Sequence, residues 1–207
     1  MTEEEKCSVV CTNFSSYDWT REVLKGLESD VEITYLFDDG ADVHSFQPGT
    51  EDYILIAESD VFIYAGNGTE TWIEEALASN PDENRIVLNL SETEGVNCLP
   101  AGEVHVHEEG TADAHEEAID EHIWLSLRNA IFCTEAIAEC MVTAMPAWKA
   151  QIESNCQSYV AELRELDQAY QEMVQQSVNP YMIVADRFPF RYPLPPETAF
   201  PVRYRTA

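Results

Sequence analysis

Four of the five histidines in this 207-residue chain lie in one short acidic stretch, which runs from His105 to Leu125. The same stretch carries seven carboxylate side chains and few other groups that could take part in chemistry. Imidazole nitrogen and carboxylate oxygen are ligands of Zn²⁺, and also of Mn²⁺ or Ni²⁺ where oxygen ligands dominate. The residue types therefore predict a region that binds divalent cations.

Three of these histidines lie among acidic residues without a periodic apolar pattern, namely His105, His107 and His115. Such a segment could hold a cation in many different arrangements, which favours capture of a metal over binding in a single geometry. The alternative is a solvated acidic loop whose histidines bind nothing.

His122 and His44 have different sequence surroundings from the other histidines. His122 is followed at once by the apolar turn and helix start IWLSLRNA, so we expect its surroundings to be ordered. The alternative for His122 is an imidazole that bonds a backbone carbonyl near the helix start. His44 lies alone in the loop sequence DDGADVHSFQPGTED, where a ligand role and a structural role are equally open.

The charge of the chain limits its partners. Asp and Glu number 39 against 11 Lys and Arg, which gives a formal net charge of −28. A surface of this sign repels nucleic acid and anionic lipid and attracts metal ions or basic partners. The enzyme signatures GxSxG, GxxxxGK[ST], HExxH and GxGxxG are missing from the sequence, so an α/β enzyme that uses His44 or His122 as a base or metal ligand is the weaker alternative.

Strand and helix patterns alternate four times along the first two thirds of the chain. The predicted strands are CSVVCTNF, VEITYLF, DVFIYAG and RIVLNL. The predicted helices are SSYDWTREVLKGL behind a serine cap, EDYILIAES, TETWIEEALA and SLRNAIFCTEAIAECMVTAM. This alternation predicts an α/β fold with a four-stranded parallel sheet flanked by helices. Because ligands bind at the carboxyl ends of such strands, we expect His44 and the histidine-rich stretch at the same edge.

The distribution of predicted strands and helices divides the chain into three parts. Residues 1–147 form the α/β lobe, and residues 148–178 form one amphipathic linker helix about 45 Å long, which should extend beyond that lobe. Residues 179–207 contain PYMIVADRF from residue 180, which is typical of a strand, and continue into a proline-rich tail. We therefore expect the first strand of a second lobe that this chain does not complete.

The six cysteines include no CxxC pair, which argues against a zinc ribbon or a thioredoxin-like site. A strand would place Cys7 and Cys11 about 13 Å apart, and a helix would separate Cys133 from Cys140, so neither pair can form a disulfide. We expect Cys133 and Cys140 to be small buried hydrophobic residues, and a disulfide stays open only for Cys98 or Cys156.

Four segments of the chain, in this order, resemble the zinc/manganese solute-binding lipoproteins of ABC importers, especially the zinc branch from Gram-positive bacteria. They are DDGADVHSFQPGTED, FIYAGNGTETWIEEAL, DEHIWLSLRNA and PYMIVADRFPFRY, and the resemblance runs from about Cys7 to Tyr192. It implies two α/β lobes that are joined by a rigid long helix and hold the metal between them.

The resemblance also implies ligands. His44 matches the first-lobe motif D-x-H-S, and His122 matches the motif D-x-H-x-W. The segment that carries the other three histidines resembles the mobile, acidic, histidine-rich loop of zinc-specific members. Many family members have a further histidine in the second lobe, at the position that Ala185 occupies here.

The resemblance implies an extracytoplasmic protein, and not an enzyme, that captures Zn²⁺ and delivers it to the permease of an ABC importer. We expect a monomer without a nucleic-acid partner, either a cell-surface lipoprotein or a periplasmic protein. The start MTEEEK lacks the basic residues and apolar run of a secretory signal, so this location rests on the resemblance. The alternatives are a manganese-binding member of the same family and an acidic adhesin or other protein-binding module.

Overall fold

The computed structural model describes residues 6–37, 46–66, 72–100, 119–120, 122–177 and 192. Strands and helices alternate along these residues as predicted. They are β1 (Cys7–Cys11), α1 (Phe14–Val23), β2 (Val31–Tyr35), α2 (Thr50–Ala57), β3 (Val61–Tyr64), α3 (Trp72–Ser79), β4 (Ile86–Asn89), α4 (Leu127–Ala144) and α5 (Lys149–Gln176). Short 3₁₀ turns lie at Leu90–Glu92, Ile123–Leu125 and Pro146–Trp148.

The four strands form one parallel sheet in the order β2-β1-β3-β4, which confirms the predicted sheet. Val9 on β1 lies opposite Ile33 on β2 and opposite Val61 on β3. Because all strands run the same way, their carboxyl ends lie at one edge of the sheet. The chain leaves β1 towards β2 first and then passes to β3 on the other side, so the crevice expected for a ligand opens between β1 and β3 at that edge.

Helices cover both faces of the sheet. Alternate residues of the central strands point to opposite sides: Val9 and Ile63 join the core beneath α1, α4 and α5, whereas Phe62 joins the core beneath α2 and α3. These three side chains are fully buried. Burial on both faces explains why β1 and β3 have continuous apolar sequences instead of alternating ones.

Asn13 caps the start of helix α1, and the predicted serine cap is wrong. The side-chain oxygen of Asn13 accepts a hydrogen bond from the backbone N–H of Ser16 at 2.7 Å. The Ser16 hydroxyl in turn donates to the Asn13 carbonyl at 2.9 Å. The helix therefore starts at Phe14, one residue before the predicted start, because the Asn13 amide satisfies an N–H of the first turn.

Gly66 connects the carboxyl ends of β3 and β4. Its φ of +74° lies in the left-handed region, and a Cβ atom there would lie 1.6 Å from Oδ1 of Asn89. The Ser91 hydroxyl donates to the Gly66 carbonyl at 2.7 Å and contacts the same Asn89 oxygen at 2.9 Å. Only glycine allows this close approach, which fixes the start of the loop that leaves β4.

Helix α5 confirms the predicted long amphipathic helix, although Trp148 lies in the 3₁₀ turn before it. Its 28 residues extend over about 42 Å. Apolar residues of the first half, from Ile152 to Leu163, are buried against α1 and α4. Leu166, Tyr170 and Met173 continue the same stripe but are 46%, 52% and 59% exposed. The second half of the helix therefore lies outside the main core.

Two sequence predictions concern residues 180–188, namely the first strand of a second lobe and Ala185 at the position of a family ligand. These residues lie outside the described part of the chain. Over the described residues, no single helix is long and apolar enough to cross a membrane. Helix α4 and the helix after it meet that requirement only as a pair bent by 118°.

All six cysteines are free thiols. As predicted, β1 holds Cys7 and Cys11, and α4 holds Cys133 and Cys140. Burial, with a smaller contribution from Asp60, raises the pKa of Cys7 to about 11. Burial also raises the pKa of Cys11 and of Cys133 to about 12. The folded protein therefore keeps these sulfurs in the protonated form.

At pH 8, we expect Cys7, Cys11 and Cys133 of the folded protein to react with a disulfide reagent at least about 100-fold more slowly than in urea. Only the thiolate reacts, and its fraction falls about tenfold for each unit by which the pKa rises. Rapid-mixing spectrophotometry with and without urea measures the ratio. Equal rates in the two conditions would contradict the assigned pKa values.

The same shifts predict how stability depends on pH. Below pH 9, Cys11 and Cys133 hold their protons in both the folded and the unfolded chain. Between pH 9 and about 12 the unfolded chain loses protons that the folded chain keeps. The free energy of unfolding should therefore decrease as the pH rises through this window, by at most about 1.4 kcal/mol per pH unit for each thiol.

Candidate metal centre

His122 lies between a buried aspartate and the turn that leads into α4. It directly precedes the 3₁₀ turn Ile123–Leu125, and the Ile123 side chain is 1% exposed within the main core. The imidazole itself is 29% exposed. His122 is therefore attached to the core through its neighbour while its ring reaches the surface.

The imidazole of His122 is bonded to the side chain of Asp120. Nδ1 of His122 lies 2.8 Å from Oδ1 of Asp120, and the backbone N–H of His122 donates to the same oxygen at 3.1 Å. A carboxylate oxygen accepts hydrogen bonds, so Nδ1 carries the hydrogen in this pair. In that tautomer the lone pair is on Nε2, the nitrogen that could bind a metal. Carboxylate–histidine pairs of this kind orient metal-binding imidazoles.

The ring of Trp124 packs against the His122 imidazole. The two ring centroids are 5.4 Å apart, and the ring planes are inclined by 54°. Trp124 is partly buried against the main core. This contact and the bond to Asp120 together restrict rotation of the imidazole, so the candidate ligand has a defined orientation.

Asn129, in the first turn of α4, fixes the turn that follows His122. It is 1% exposed, and its side-chain N–H groups donate to the carbonyls of Asn97 at 3.0 Å and Ile123 at 3.1 Å. Its side-chain oxygen accepts from the backbone N–H of Asn97 at 2.9 Å. The amide therefore joins the loop after β4 to the residue next to His122.

The two ends of the histidine-rich segment meet beside His122. The backbone N–H of Asp120 donates to the Leu99 carbonyl at 2.8 Å, and Pro100 and Ile119 form an antiparallel bridge. We call residues 99–100 and 119–120 the stem. The predicted capture residues His105, His107 and His115 belong to the segment between the two halves of the stem and lie outside the described residues.

His44 also lies outside the described residues, but the structure describes both flanks of its segment. Phe37 precedes residues 38–45 and Phe46 follows them, and these two rings are 4.2 Å apart. Phe46 also packs on Trp72, with 5.8 Å between ring centroids. The segment that carries His44 therefore starts and ends at one aromatic cluster, next to the carboxyl end of β2.

No group of three or more His, Cys, Asp and Glu side chains that could hold a metal occurs among the described residues. The described part of the candidate centre is therefore His122 with its partner Asp120. Further ligands would have to come from the other segments, and the predicted His44 is one candidate.

Sequence reasoning missed three residues that hold His122 or its neighbours in place: Asp120, Asn129 and Tyr192. Asp120 is the first residue of the D-x-H-x-W pattern, so the pattern itself contained the signal. Asn129 contacts Asn97, which is 32 positions away, and Tyr192 contacts Leu99, which is 93 positions away. Local patterns do not reveal contacts of this range.

Comparisons with known proteins agree with the fold. A family model for the zinc-uptake complex component A, periplasmic (ZnuA), matches residues 9–193. The zinc-binding lipoprotein AdcA of Streptococcus pneumoniae is 30% identical over 176 residues, which are 83% of this chain and 34% of AdcA. The high-affinity zinc uptake system protein ZnuA of Bacillus subtilis is 29% identical over 167 residues, which are 80% of this chain and 51% of that protein.

Superposition on a solved structure supports the same fold. The crystal structure of Zn(II)-bound AdcA from Streptococcus pneumoniae superposes with a TM-score of 0.77 at 23% identity, over 98% of this chain and 40% of that one. The chain thus spans between a third and a half of the curated relatives described above. Since the family model matches most of the chain, the predicted resemblance is confirmed, and the chain belongs to the family of the zinc-uptake complex component A.

Proposed function

We propose that this chain is the zinc-binding part of an extracytoplasmic solute-binding protein that delivers Zn²⁺ to the permease of an ABC importer. The observation that carries the proposal is the bond between Nδ1 of His122 and the carboxylate of Asp120. This bond sets the tautomer that presents Nε2 to a metal, and the family to which the chain belongs is a zinc-uptake component. A binding role of this kind needs no catalytic group.

His44 is the second ligand in this proposal. It follows β2, and His122 follows the loop that leaves β4. Because the sheet is parallel, both segments start from its carboxyl edge, on either side of the crevice between β1 and β3. Two imidazoles from these segments would approach one cation from opposite sides.

His105, His107 and His115 form a capture segment in this proposal. The segment begins and ends at the stem, which contains Asp120, and this arrangement supports transfer of a captured cation to His122. The formal charge of −28 raises the local concentration of cations around the protein. The segment would therefore increase the rate of capture, while His122 and His44 determine affinity.

We also propose the division into parts that the sequence predicts: a lobe at 1–147, a linker helix at 148–178 and the start of a second lobe at 179–207. The exposed half of α5 supports it, because Leu166, Tyr170 and Met173 present apolar area beyond the core of the first lobe. The zinc-binding lipoprotein relative and the periplasmic family name support a location outside the cytoplasmic membrane.

Ligand chemistry favours zinc over manganese. Imidazole nitrogen binds Zn²⁺ more strongly than Mn²⁺, which prefers oxygen ligands. A manganese-binding member of the family is therefore the second candidate. The third candidate is an acidic adhesin or other protein-binding module, which the net charge of −28 could also serve. Such a module would bind its partner equally well in the presence of a chelator.

Calorimetric titration of the metal-free protein tests the proposal. We expect one tight zinc site, weaker zinc binding by the capture segment, and an affinity for Mn²⁺ at least about tenfold lower than for Zn²⁺. Mg²⁺ is the control for attraction by charge alone, since it prefers oxygen ligands and should give no tight site. Equal affinity for Zn²⁺ and Mg²⁺ would contradict a specific site.

A further inference from the structure

Tyr192 connects the chain beyond α5 to the stem of the histidine-rich segment. Its side chain is 8% exposed and belongs to the main core. The hydroxyl donates to the backbone carbonyl of Asp120 at 2.7 Å and accepts from the backbone N–H of Leu99 at 3.0 Å. Asp120 and Leu99 are 72 and 93 positions away from Tyr192 in the sequence.

The Tyr192 hydroxyl bridges the two halves of the stem. Leu99 belongs to the incoming half and Asp120 to the outgoing half, and they are also bonded directly by the Asp120 N–H. The hydroxyl therefore donates to one backbone group of the stem and accepts from another. Loss of the hydroxyl would remove both of these bonds to the stem and leave the direct bond between Asp120 and Leu99.

Asp120 connects the Tyr192 hydroxyl to the imidazole of His122. The Asp120 carbonyl accepts from Tyr192, and the Asp120 carboxylate accepts from Nδ1 and from the backbone N–H of His122. A rotation of the Asp120 backbone would shift the carboxylate relative to the ring. The Tyr192 hydroxyl is therefore two bonded contacts away from a proposed metal ligand.

We propose that Tyr192 is a positioning residue for the zinc site, in which its hydroxyl holds the Asp120 backbone and thereby the tautomer and orientation of His122. This inference rests on the proposed function. It means that a residue located after the long helix contributes to metal binding by a histidine located before it. Any displacement of the chain around Tyr192 would change the affinity of His122 for the metal.

The variant Tyr192→Phe tests the inference, because it removes the hydroxyl and keeps the ring in the core. We expect zinc affinity to fall roughly tenfold, the lower limit for outer partners of a metal-bound imidazole. In the metal-free variant, ¹⁵N shifts of the His122 ring should move from the Nδ1–H tautomer towards a mixture of both tautomers. Tyr159→Phe is the matched control, since Tyr159 is partly buried against the same core but lies on α5.

A double-mutant cycle with Asp120→Ala shows whether Tyr192 acts through the aspartate. Asp120→Ala keeps the backbone groups that bond Tyr192 and removes the carboxylate. If the inference is correct, adding Tyr192→Phe to Asp120→Ala should change zinc affinity by less than about twofold. A further tenfold loss would show that Tyr192 acts by another route and would overturn the inference.

A purely structural role for Tyr192 would also overturn it. In that case Tyr192→Phe lowers thermal stability, as Tyr159→Phe does, while the ¹⁵N shifts of His122 and the zinc affinity stay at their wild-type values. The ring shifts are measured without metal, so they test the positioning role even if wild-type protein binds no zinc. Failure of the wild-type protein to bind zinc would contradict the proposed function. The ¹⁵N shifts of His122 would then decide whether Tyr192 is a positioning residue.

Discussion

Replacing His122 with alanine should weaken zinc binding by more than 100-fold. In the proposed site His122 is a direct ligand, and even the outer partners of a metal-bound imidazole contribute 10-fold to 100-fold in affinity. The substitution removes the ring that Asp120 and Trp124 hold in place. Competition with a chromophoric chelator measures the affinity.

The matched control for this prediction is His107→Ala, which removes an imidazole from the capture segment. We expect His107→Ala to reduce zinc affinity by less than about threefold, because other imidazoles and carboxylates of that segment can substitute for it. Stopped-flow association should still be slower for this variant. Equal affinities for wild type and His122→Ala would exclude His122 as a ligand.

Replacing Asn129 with alanine should reduce the free energy of unfolding by about 3 kcal/mol. The substitution leaves the N–H and carbonyl of Asn97 and the carbonyl of Ile123 without the partner that Asn129 supplies. Each buried polar group that loses its hydrogen bond costs about 1–3 kcal/mol, and partial access of water at Asn97 reduces the sum. Urea denaturation should show a lower midpoint with an unchanged slope.

Asn155→Ala is the control for the effect of burial. Asn155 on α5 also donates two hydrogen bonds, to the carbonyls of Val23 at 3.0 Å and Lys25 at 2.9 Å. It is only half-buried, so water can replace the lost donor, and we expect a cost of about 1 kcal/mol. Equal costs for the two variants would mean that the buried position of Asn129 has no special importance for the fold.

The fold follows from local sequence patterns to a large extent. Short runs rich in β-branched and other apolar residues identified all four strands, and the spacing of apolar residues identified α5, with ends within a few residues of those observed. Both signals arise from burial of neighbouring residues along one element, so a single sequence contains them. The cap of α1 was predicted wrongly, since Asn13 and the serines after it are all good caps and only the structure distinguishes them.

The surroundings of the candidate ligand could be predicted only in part. His122 was found because the apolar turn IWLSLRNA follows it at once and because it matches the motif D-x-H-x-W of the family that the sequence resembles. The bonds from Asn129 to Asn97 and from Tyr192 to Leu99 connect residues that are 32 and 93 positions apart. These pairs depend on how complete elements pack, and no local period or spacing encodes them.

The unequal burial of α5 has a mechanical consequence. Its first half, up to Leu163, is held by the core, and the 13 residues that follow up to Gln176 extend for about 20 Å without comparable packing. A rotation of only 10° at the held half would therefore displace the far end by about 3 Å. A small rearrangement where α5 meets α1 and α4 is thus amplified along the helix, and whatever part of the protein contacts its far end must move with it.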